Sequence, residues 1–293
     1  MTRIFRFAPS PNGELHLGHA RSALLNQRLA SESGGRLLLR IEDIDVGRCT
    51  PEFEAAIYRD LEWLGVTWES PARRQSEHFD DYQAALDRLK SLGLVYPSFM
   101  SRGEMRDHIA ARSDARNPWP RDPDGAPLYP DADRRLSRRE RTRRIASHAP
   151  HAWRLDMQAA SELAGDRLSW QESGEGPGGE AGAVPAKPEI WGDVVIARSD
   201  IPASYHLAVT VDDALQGVTD VVRGQDLFYA CAVHRLLQHL LDLPAPDYRH
   251  HALIVGADGR KLSKSRGDTG IAALRESGHT AEEVRAMALE GLE

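Results

Sequence analysis

Cysteine is nearly absent: the 293 residues include two, Cys49 and Cys231. Two thiols cannot build a disulfide framework or a multi-cysteine zinc site. With no secretory-type leader ahead of the first apolar run, a reducing cytoplasm is the expected setting. Long hydrophobic runs are also missing. No apolar stretch approaches the ~20 residues of a membrane-crossing helix, so a soluble chain without membrane contact, most simply a monomer, is expected. Positive charge is not in excess either: 37 Lys and Arg face 44 Asp and Glu, a net charge of −7. That balance excludes a uniformly basic nucleic-acid face and leaves local patches for any polyanion. One such patch is Arg134–Arg144, opposed by Glu140 alone, which reads equally as a solvated basic helix or as a phosphate-contacting surface.

What is present is a chain 41% hydrophobic, enough to bury one good core and a smaller satellite. Its opening alternates β-rich and helical patterns: strand Arg3–Phe7, helix Gly18–Ala30, strand Arg36–Ile41, helix Pro51–Leu64 and, further on, helix Phe79–Leu92. This is the pattern of an α/β protein with a parallel sheet, whose active site lies beyond the carboxyl ends of its strands. From Tyr96 the pattern breaks into Arg-, Pro- and Asp-rich sequence, followed by a helix over Asp131–His148 and a strand at Arg154. A Gly-rich loop, Ser173–Gly182, comes next. Alternation in Asp193–Arg198 and Tyr205–Val211 predicts a hairpin turning at Ser199–Pro202, and the end of the chain predicts helix Asp226–Leu241 and strand Ala252–Val255. The resulting division is a first catalytic half at residues 1–95, an inserted subdomain at 96–175, a second half at 176–270 and a helical tail at 271–293.

Two short motifs carry the chemistry. His16-Leu-Gly-His19 follows a Pro-rich loop and opens a helix, so two imidazoles and the first-turn N–H groups can converge on phosphate oxygens. Gly18 leaves room for a flat adenine ring. The second motif, Lys261-Leu-Ser-Lys264-Ser, places two ammonium groups on a small, polar loop after an apolar strand and the Asp258-Gly259 turn. Together the two motifs read as an ATP site.

These motifs resemble the HIGH and KMSKS signatures of class I aminoacyl-tRNA synthetases, and the stretches around them resemble the glutamyl and glutaminyl branch. Arg6-Phe-Ala-Pro-Ser-Pro-Asn-Gly, Arg40-Ile-Glu-Asp-Ile-Asp45, Tyr205-His-Leu-Ala, Val211–Asp220 and Val222-Arg-Gly-Gln-Asp226 occur in family order, from residue 3 to residue 268. The resemblance implies a Rossmann-like doubly wound catalytic domain with an inserted α+β subdomain. Only 28 residues follow Ser265, so no anticodon-binding domain is expected. The resemblance is therefore strongest to the short glutamyl-queuosine tRNA(Asp) synthetases. It implies activation of L-glutamate by ATP with Mg2+ and transfer of the glutamyl group to queuosine in the anticodon of tRNA(Asp). A truncated synthetase charging a tRNA 3′ end, or an idle tRNA-binding paralogue, are the alternatives.

Adenylate formation needs no general base, because the attacking carboxylate is already ionised. It needs positioning and stabilisation of phosphate charge. By resemblance, His16, His19 and Lys264 are the catalytic cations and donors, with Gly18 and Lys261 completing the ATP site. Choosing glutamate needs a cation for the side-chain carboxylate and an anion for the α-ammonium. The family's contacts fall on Arg6, Ala8, Ser10, Glu42, Tyr205 and Arg223, and arginine's planar fork suits bidentate capture of a carboxylate.

One family feature is missing. Many members hold zinc through a Cys-x-Cys after the Tyr-Pro of the insertion, a Tyr and a third Cys, but here Tyr96-Pro-Ser98-Phe-Met100 and Tyr129–Asp133 supply no thiolate. No structural metal is therefore expected, and packing of Phe99, Met100, Trp119, Leu128 and Tyr129 is expected to replace it.

Overall fold

Strands β1 (Ile4–Phe7) and β2 (Arg36–Ile41) are buried almost along their length, as strands covered on both faces must be. They pair in parallel, Ile4 opposite Arg36 and Phe7 opposite Leu39. This computed structural model describes residues 2–114, 116–165, 167–201, 203–254 and 270–291. Helix α1 (Leu17–Glu32) makes the crossover between β1 and β2. After β2, α2 (Pro51–Trp63) starts where the Thr50 hydroxyl accepts from the Phe53 N–H and Pro51 supplies a preset first turn. β3 (Glu69–Arg74) and α3 (Phe79–Ser91) end this half.

The chain continues through β4 (Val95–Ser98), α4 (Arg102–Ala110), α5 (Arg138–Ala146), β5 (Ala152–Leu155), α6 (Met157–Ala164), β6 (Ser169–Glu172), β7 (Gly182–Pro185) and β8 (Val195–Arg198). It then runs through α7 (Tyr205–Leu215), β9 (Asp220–Gly224), α8 (Ala230–Leu241), β10 (Asp247–His251), α9 (Ile271–Glu276) and α10 (Ala281–Leu289). The large sheet has the order β3-β2-β1-β9-β10-β6-β7, parallel except for β7, which folds back on β6. β4, β5 and β8 form a small antiparallel sheet. Order reverses at β1 and β9, opening a crevice at the carboxyl ends where such sheets bind ligands.

Two large apolar clusters flank the main sheet. One joins Phe5, Leu24, Leu39, Ile57 and Leu61 to Ile271, Val284 and Ala288, so α9 and α10 complete the core of the first half. The other joins Tyr82, Leu86, Ile196, Leu207, Val233 and Leu237 across α3, β8, α7 and α8. Gly270 forms a bridge with His16, and the Ile271 N–H donates to the Leu15 carbonyl at 2.8 Å, which seats the tail beside the first motif. Among the described residues no helix is long and apolar enough to cross a membrane.

Three local expectations are corrected. Tyr205–Leu215 is a helix, not the second strand of a hairpin, and Val195–Arg198 pairs with β5 instead. The β-branched Val209, Thr210 and Val211 look strand-like, but Leu207, Ala208 and Val211 share a helical face buried in the core, and the Ser204 hydroxyl caps the helix. The late strand lies at Asp247–His251, and of the expected Ala252–Val255 the described residues 252–254 are not in a strand while Val255 lies outside the described residues. The polar residues of Asp247–His251 disguise a buried strand because their partners come from elsewhere in the fold. Helix α5 begins at Arg138, after the Ser137 cap, and not at Asp131.

Candidate active site

The first motif folds by closing hydrogen bonds on itself. His16 is the N-cap of α1, and its Nδ1 accepts from the Gly18 N–H at 3.1 Å. His19 Nδ1 accepts from the His16 N–H at 3.1 Å, a capping box made by imidazoles. Both rings are thus held with Nδ1 as acceptor, which makes Nε2 the N–H of each neutral ring. Their centroids lie 3.8 Å apart. The Gly18 N–H serves the cap instead of pointing outward as expected. A Cβ on Gly18 would come within 2.9 Å of His16 Cε1, so the glycine is also what lets the His16 ring fold back.

The opposite end of the crevice is built from buried charge. Arg6, at the end of β1, donates through Nε to Asp213 at 3.1 Å, and the fully buried Arg40 donates to the same oxygen at 2.8 Å and to Glu42 at 3.2 Å. Asp212 is satisfied separately by Arg73, Gln75 and the Tyr82 hydroxyl, each at 2.8 to 2.9 Å. Burial pushes the Glu42 carboxyl above its ordinary range, opposed by Arg40 and Arg6. The Glu42 N–H donates to the Pro9 carbonyl at 3.0 Å, tying the ends of β1 and β2 together.

Arg223, near the end of β9, is held on several sides. Its Nε donates to His250 Nε2 at 3.2 Å, and one terminal nitrogen donates to the Leu227 carbonyl and to Cys231 Sγ, both at 3.0 Å. The other terminal nitrogen lies 3.3 Å from the Tyr205 hydroxyl and 3.5 Å from His234 Nδ1. The fork expected to grip a carboxylate with two nitrogens is therefore largely occupied by the protein. Burial pushes Tyr205 up to about 12 and Cys231 up to about 11, so both keep their protons at neutral pH. Burial, reinforced by Arg223, holds His206 down to about 4 and His234 well below its ordinary value.

One cavity of about 490 Å³ joins the two ends. Arg6, Ala8, Ser10, His16, Gly18, His19, Glu42, Tyr205 and Arg223 all line it. Lys261 and Lys264 lie outside the described residues. Sequence reasoning quoted Arg40, Asp212 and Asp213 as matching stretches but gave them no role. It missed Glu172, His234 and His250 altogether. Adjacent acidic residues on a helix buried against strand-end arginines were the available signal for the first group; nothing local signalled the second.

In the insertion, Ser98 Oγ donates to the Ala152 carbonyl at 3.0 Å and accepts from Arg154 Nε at 3.2 Å. Asp133 accepts from the Phe99 N–H at 2.7 Å and from the Tyr129 hydroxyl, and the Arg154 guanidinium sits 3.7 Å from the Tyr129 ring centroid. These donors do not fit a zinc ion: the thiolates are replaced, the carboxylate is committed and a guanidinium lies among them. Phe99, Met100, Trp119, Leu128 and Tyr129 are only half-buried and belong to none of the main apolar clusters, so the expected apolar clamp is a polar one. Within the basic run, Glu140 pairs with Arg143 and Arg144 at 2.7 and 2.8 Å, and Arg134 pairs with Asp156 at 3.2 Å.

The family model for the catalytic domain of class I tRNA synthetases (E and Q) matches residues 4–291. The chain is 41% identical over 288 residues to a glutamyl-Q tRNA(Asp) synthetase of Rhodobacter capsulatus, covering 97% of this chain and 99% of that one. It is 34% identical to glutamate–tRNA ligase 2 of Syntrophus aciditrophicus, covering 93% of this chain and 54% of that relative. Among solved structures, a glutamate–tRNA synthetase from Elizabethkingia anophelis superposes with a TM-score of 0.81 at 27% identity, over 99% of this chain and 61% of that one. The chain is a ligase of the aminoacyl-tRNA synthetase type and belongs to the class I glutamyl and glutaminyl tRNA synthetase family.

Proposed function

We propose that the protein activates L-glutamate with ATP and transfers the glutamyl group to queuosine in the anticodon of tRNA(Asp). The observation that carries the first half is the single cavity whose one end has paired imidazoles at a helix start and whose other end has Arg6, Arg223, Tyr205 and Glu42. Two anions must meet there. The glutamate α-carboxylate attacks the α-phosphorus of ATP in line, forming glutamyl-adenylate and releasing pyrophosphate. His16 and His19 stabilise charge on the phosphates, Lys261 and Lys264 approach from the second motif, and ATP arrives as its Mg2+ complex. Glu42 receives the α-ammonium, with Ala8 and Ser10 shaping the wall beside it. Arg6, Arg223 and the neutral Tyr205 receive the side-chain carboxylate.

The identity of the acceptor rests on the Rhodobacter relative, which matches this chain end to end, whereas the glutamate–tRNA ligase relative is nearly twice as long. In this second step a queuosine ring hydroxyl attacks the activated acyl carbon and AMP leaves. The insertion is proposed to fold without zinc and the protein to act as a monomer in the cytoplasm. The test is transfer of labelled glutamate to purified tRNA(Asp) with and without queuosine. Labelling only of the modified tRNA is expected. Equal labelling of unmodified tRNA through its 3′ end would assign the protein to ordinary charging, and absence of pyrophosphate exchange with glutamate would leave it an idle paralogue.

A further inference from the structure

His250 and Glu172 touch neither the cavity nor solvent: they are 3% and 2% exposed and do not line the crevice. Their hydrogen bonds lead to a residue that does. His250 on β10 stands in register with Arg223 on β9. Glu172 Oε1 accepts two backbone N–H groups, from His250 at 2.8 Å and Gly174 at 2.9 Å, and Oε2 lies 2.6 Å from His250 Nδ1. Gly174 is required for this approach, since a Cβ there would stand 2.3 Å from the His250 carbonyl oxygen.

The proton inventory then has one solution. Although burial opposes it, the bonds from His250 and from backbone N–H groups hold the Glu172 carboxyl below its ordinary range, so it is ionised and can only accept. His250 Nδ1 must therefore donate. Burial holds the ring neutral, so its Nε2 carries a lone pair and accepts from Arg223 Nε–H at 3.2 Å. The Cys231 sulfur, 3.7 Å from Nε2, places no obligatory donor against that lone pair's partner. With its Nε edge anchored here and one terminal nitrogen engaged by Leu227 and Cys231, Arg223 has its remaining terminal nitrogen beside the Tyr205 hydroxyl, another lining group of the cavity.

We propose that Glu172 and His250 are positioning residues for amino-acid selection: the carboxylate fixes the Nδ1–H tautomer of His250, and that tautomer fixes Arg223 so that a single nitrogen meets the substrate's side-chain carboxylate. This rests on the glutamate reading above and extends it to residues with no substrate contact. It also explains how His250, at the end of a strand, can be buried without charge: it serves as an acceptor for an arginine.

The decisive variant is isosteric. In Glu172→Gln the two backbone N–H groups retain the amide oxygen, which turns the amide NH2 toward His250 Nδ1. The ring proton then moves to Nε2 and faces the Arg223 Nε–H, donor against donor. Nitrogen-15 shifts of His250 should report Nδ1–H in the wild-type protein and Nε2–H in Glu172→Gln. In pyrophosphate exchange the variant should raise KM for glutamate ten- to a hundredfold, leave KM for ATP within twofold, and reduce the preference for glutamate over glutamine. His250→Gln, whose amide oxygen can stand near the Nε2 position, should stay within a few-fold of wild type for glutamate KM, whereas His250→Phe should behave like Glu172→Gln. A wild-type Nε2–H tautomer would overturn the proposal whatever the activity, as would wild-type glutamate KM in both Glu172→Gln and His250→Phe. An equal fall in turnover with both substrates' KM unchanged would overturn it too, by reducing the pair to a structural role. A wild-type protein with no glutamate-dependent exchange would instead sink the functional reading, and the tautomer measurement would still judge the pair.

Discussion

The two ends of the cavity are built on different principles. The imidazole end comes from four consecutive residues, His16 to His19, and its geometry is closed by hydrogen bonds between neighbours in sequence. The arginine end draws on β1, β2, α7, β9, α8, β6 and β10, and Arg223 is held by His250 and Cys231 from two different elements while Glu172 supports them from a third. Local construction makes a site that can be read from a short motif and altered without disturbing the fold. Dispersed construction ties the proposed selectivity and the stability to the same contacts, because Arg6, Arg40, Asp213, Arg223 and His250 are buried and rely on their partners.

The largest contrast should appear on truncation. Arg223→Ala removes the cation proposed to meet the substrate's side-chain carboxylate and also strips partners from His250 Nε2 and the Leu227 carbonyl. A loss of about 3 to 5 kcal/mol in kcat/KM for glutamate is expected, as when one member of a buried charge pair is removed, together with a lowered Tm. Pyrophosphate exchange and thermal melting check both. Unchanged glutamate kinetics would remove Arg223 from the site and break the comparison at its strongest point.

At the other end the two quantities should separate. In His16→Asn the side-chain oxygen can take over Nδ1 as cap acceptor while the Nε2–H donor disappears. Turnover should fall by about 3 kcal/mol, the typical cost of one transition-state donor. Stability should change by less than ~0.5 kcal/mol, since asparagine is a good N-cap. A large drop in Tm for this variant would show that the imidazole end is as entangled with the fold as the arginine end.

This difference also decides what the sequence could reveal. The parallel sheet and the first helices were legible from apolar period, and His16, Gly18 and His19 from one short motif, whereas the other cavity residues, Arg6, Ala8, Ser10, Glu42, Tyr205 and Arg223, were legible through the family resemblance. Tyr205–Leu215 was not, since its β-branched run outweighs a helical face that only the packing of α3 and α8 selects. β10 was displaced for a related reason. Its Tyr248, His250 and His251 are buried, but the partner that makes burial of His250 tolerable is Glu172, 78 residues away. The Asp213 link between Arg6 and Arg40 is equally invisible in a local window, spanning 207 and 173 residues.

Acid should attack the dispersed end first. His206 and His250 are held at about 4 in the folded protein, and His234 lower than its ordinary value, by burial with Arg223 contributing. Arg6 and His251 are further charged or titratable neighbours of this group. Because these folded values lie below the unfolded ~6.5, the unfolded state binds more protons as pH falls. Stability from keeping the rings neutral is fully present above pH ~6.5 and is lost progressively as pH falls toward about 4, on the order of a few kcal/mol in all. Denaturant melts at pH 7, 6, 5 and 4.5 should show this decline, and Glu42, raised by burial, opposes it only weakly as a single group. A flat profile over that range would mean the histidine cluster is not buried neutral.

The smallest effect is expected where a local motif has been replaced by dispersed contacts. Ser98 and Met100 stand where the family resemblance implies thiolates, and the segments around residues 98, 129 to 133 and 154 are joined by Asp133, Tyr129 and Arg154. Such a knot needs no ion, because the Asp133 carboxylate already accepts from the Phe99 N–H and the Tyr129 hydroxyl and Arg154 supplies the positive charge. Incubation with a strong zinc chelator should leave Tm unchanged, and elemental analysis should find zinc well below one equivalent. Asp133→Asn, which keeps the shape but loses the charge, should lower Tm by the equivalent of about 1 to 3 kcal/mol, the cost of weakening charge-assisted hydrogen bonds in a buried place. Stoichiometric zinc whose removal lowers Tm would show that the insertion keeps a metal site built from other donors, and that here the local and dispersed modes of construction coexist.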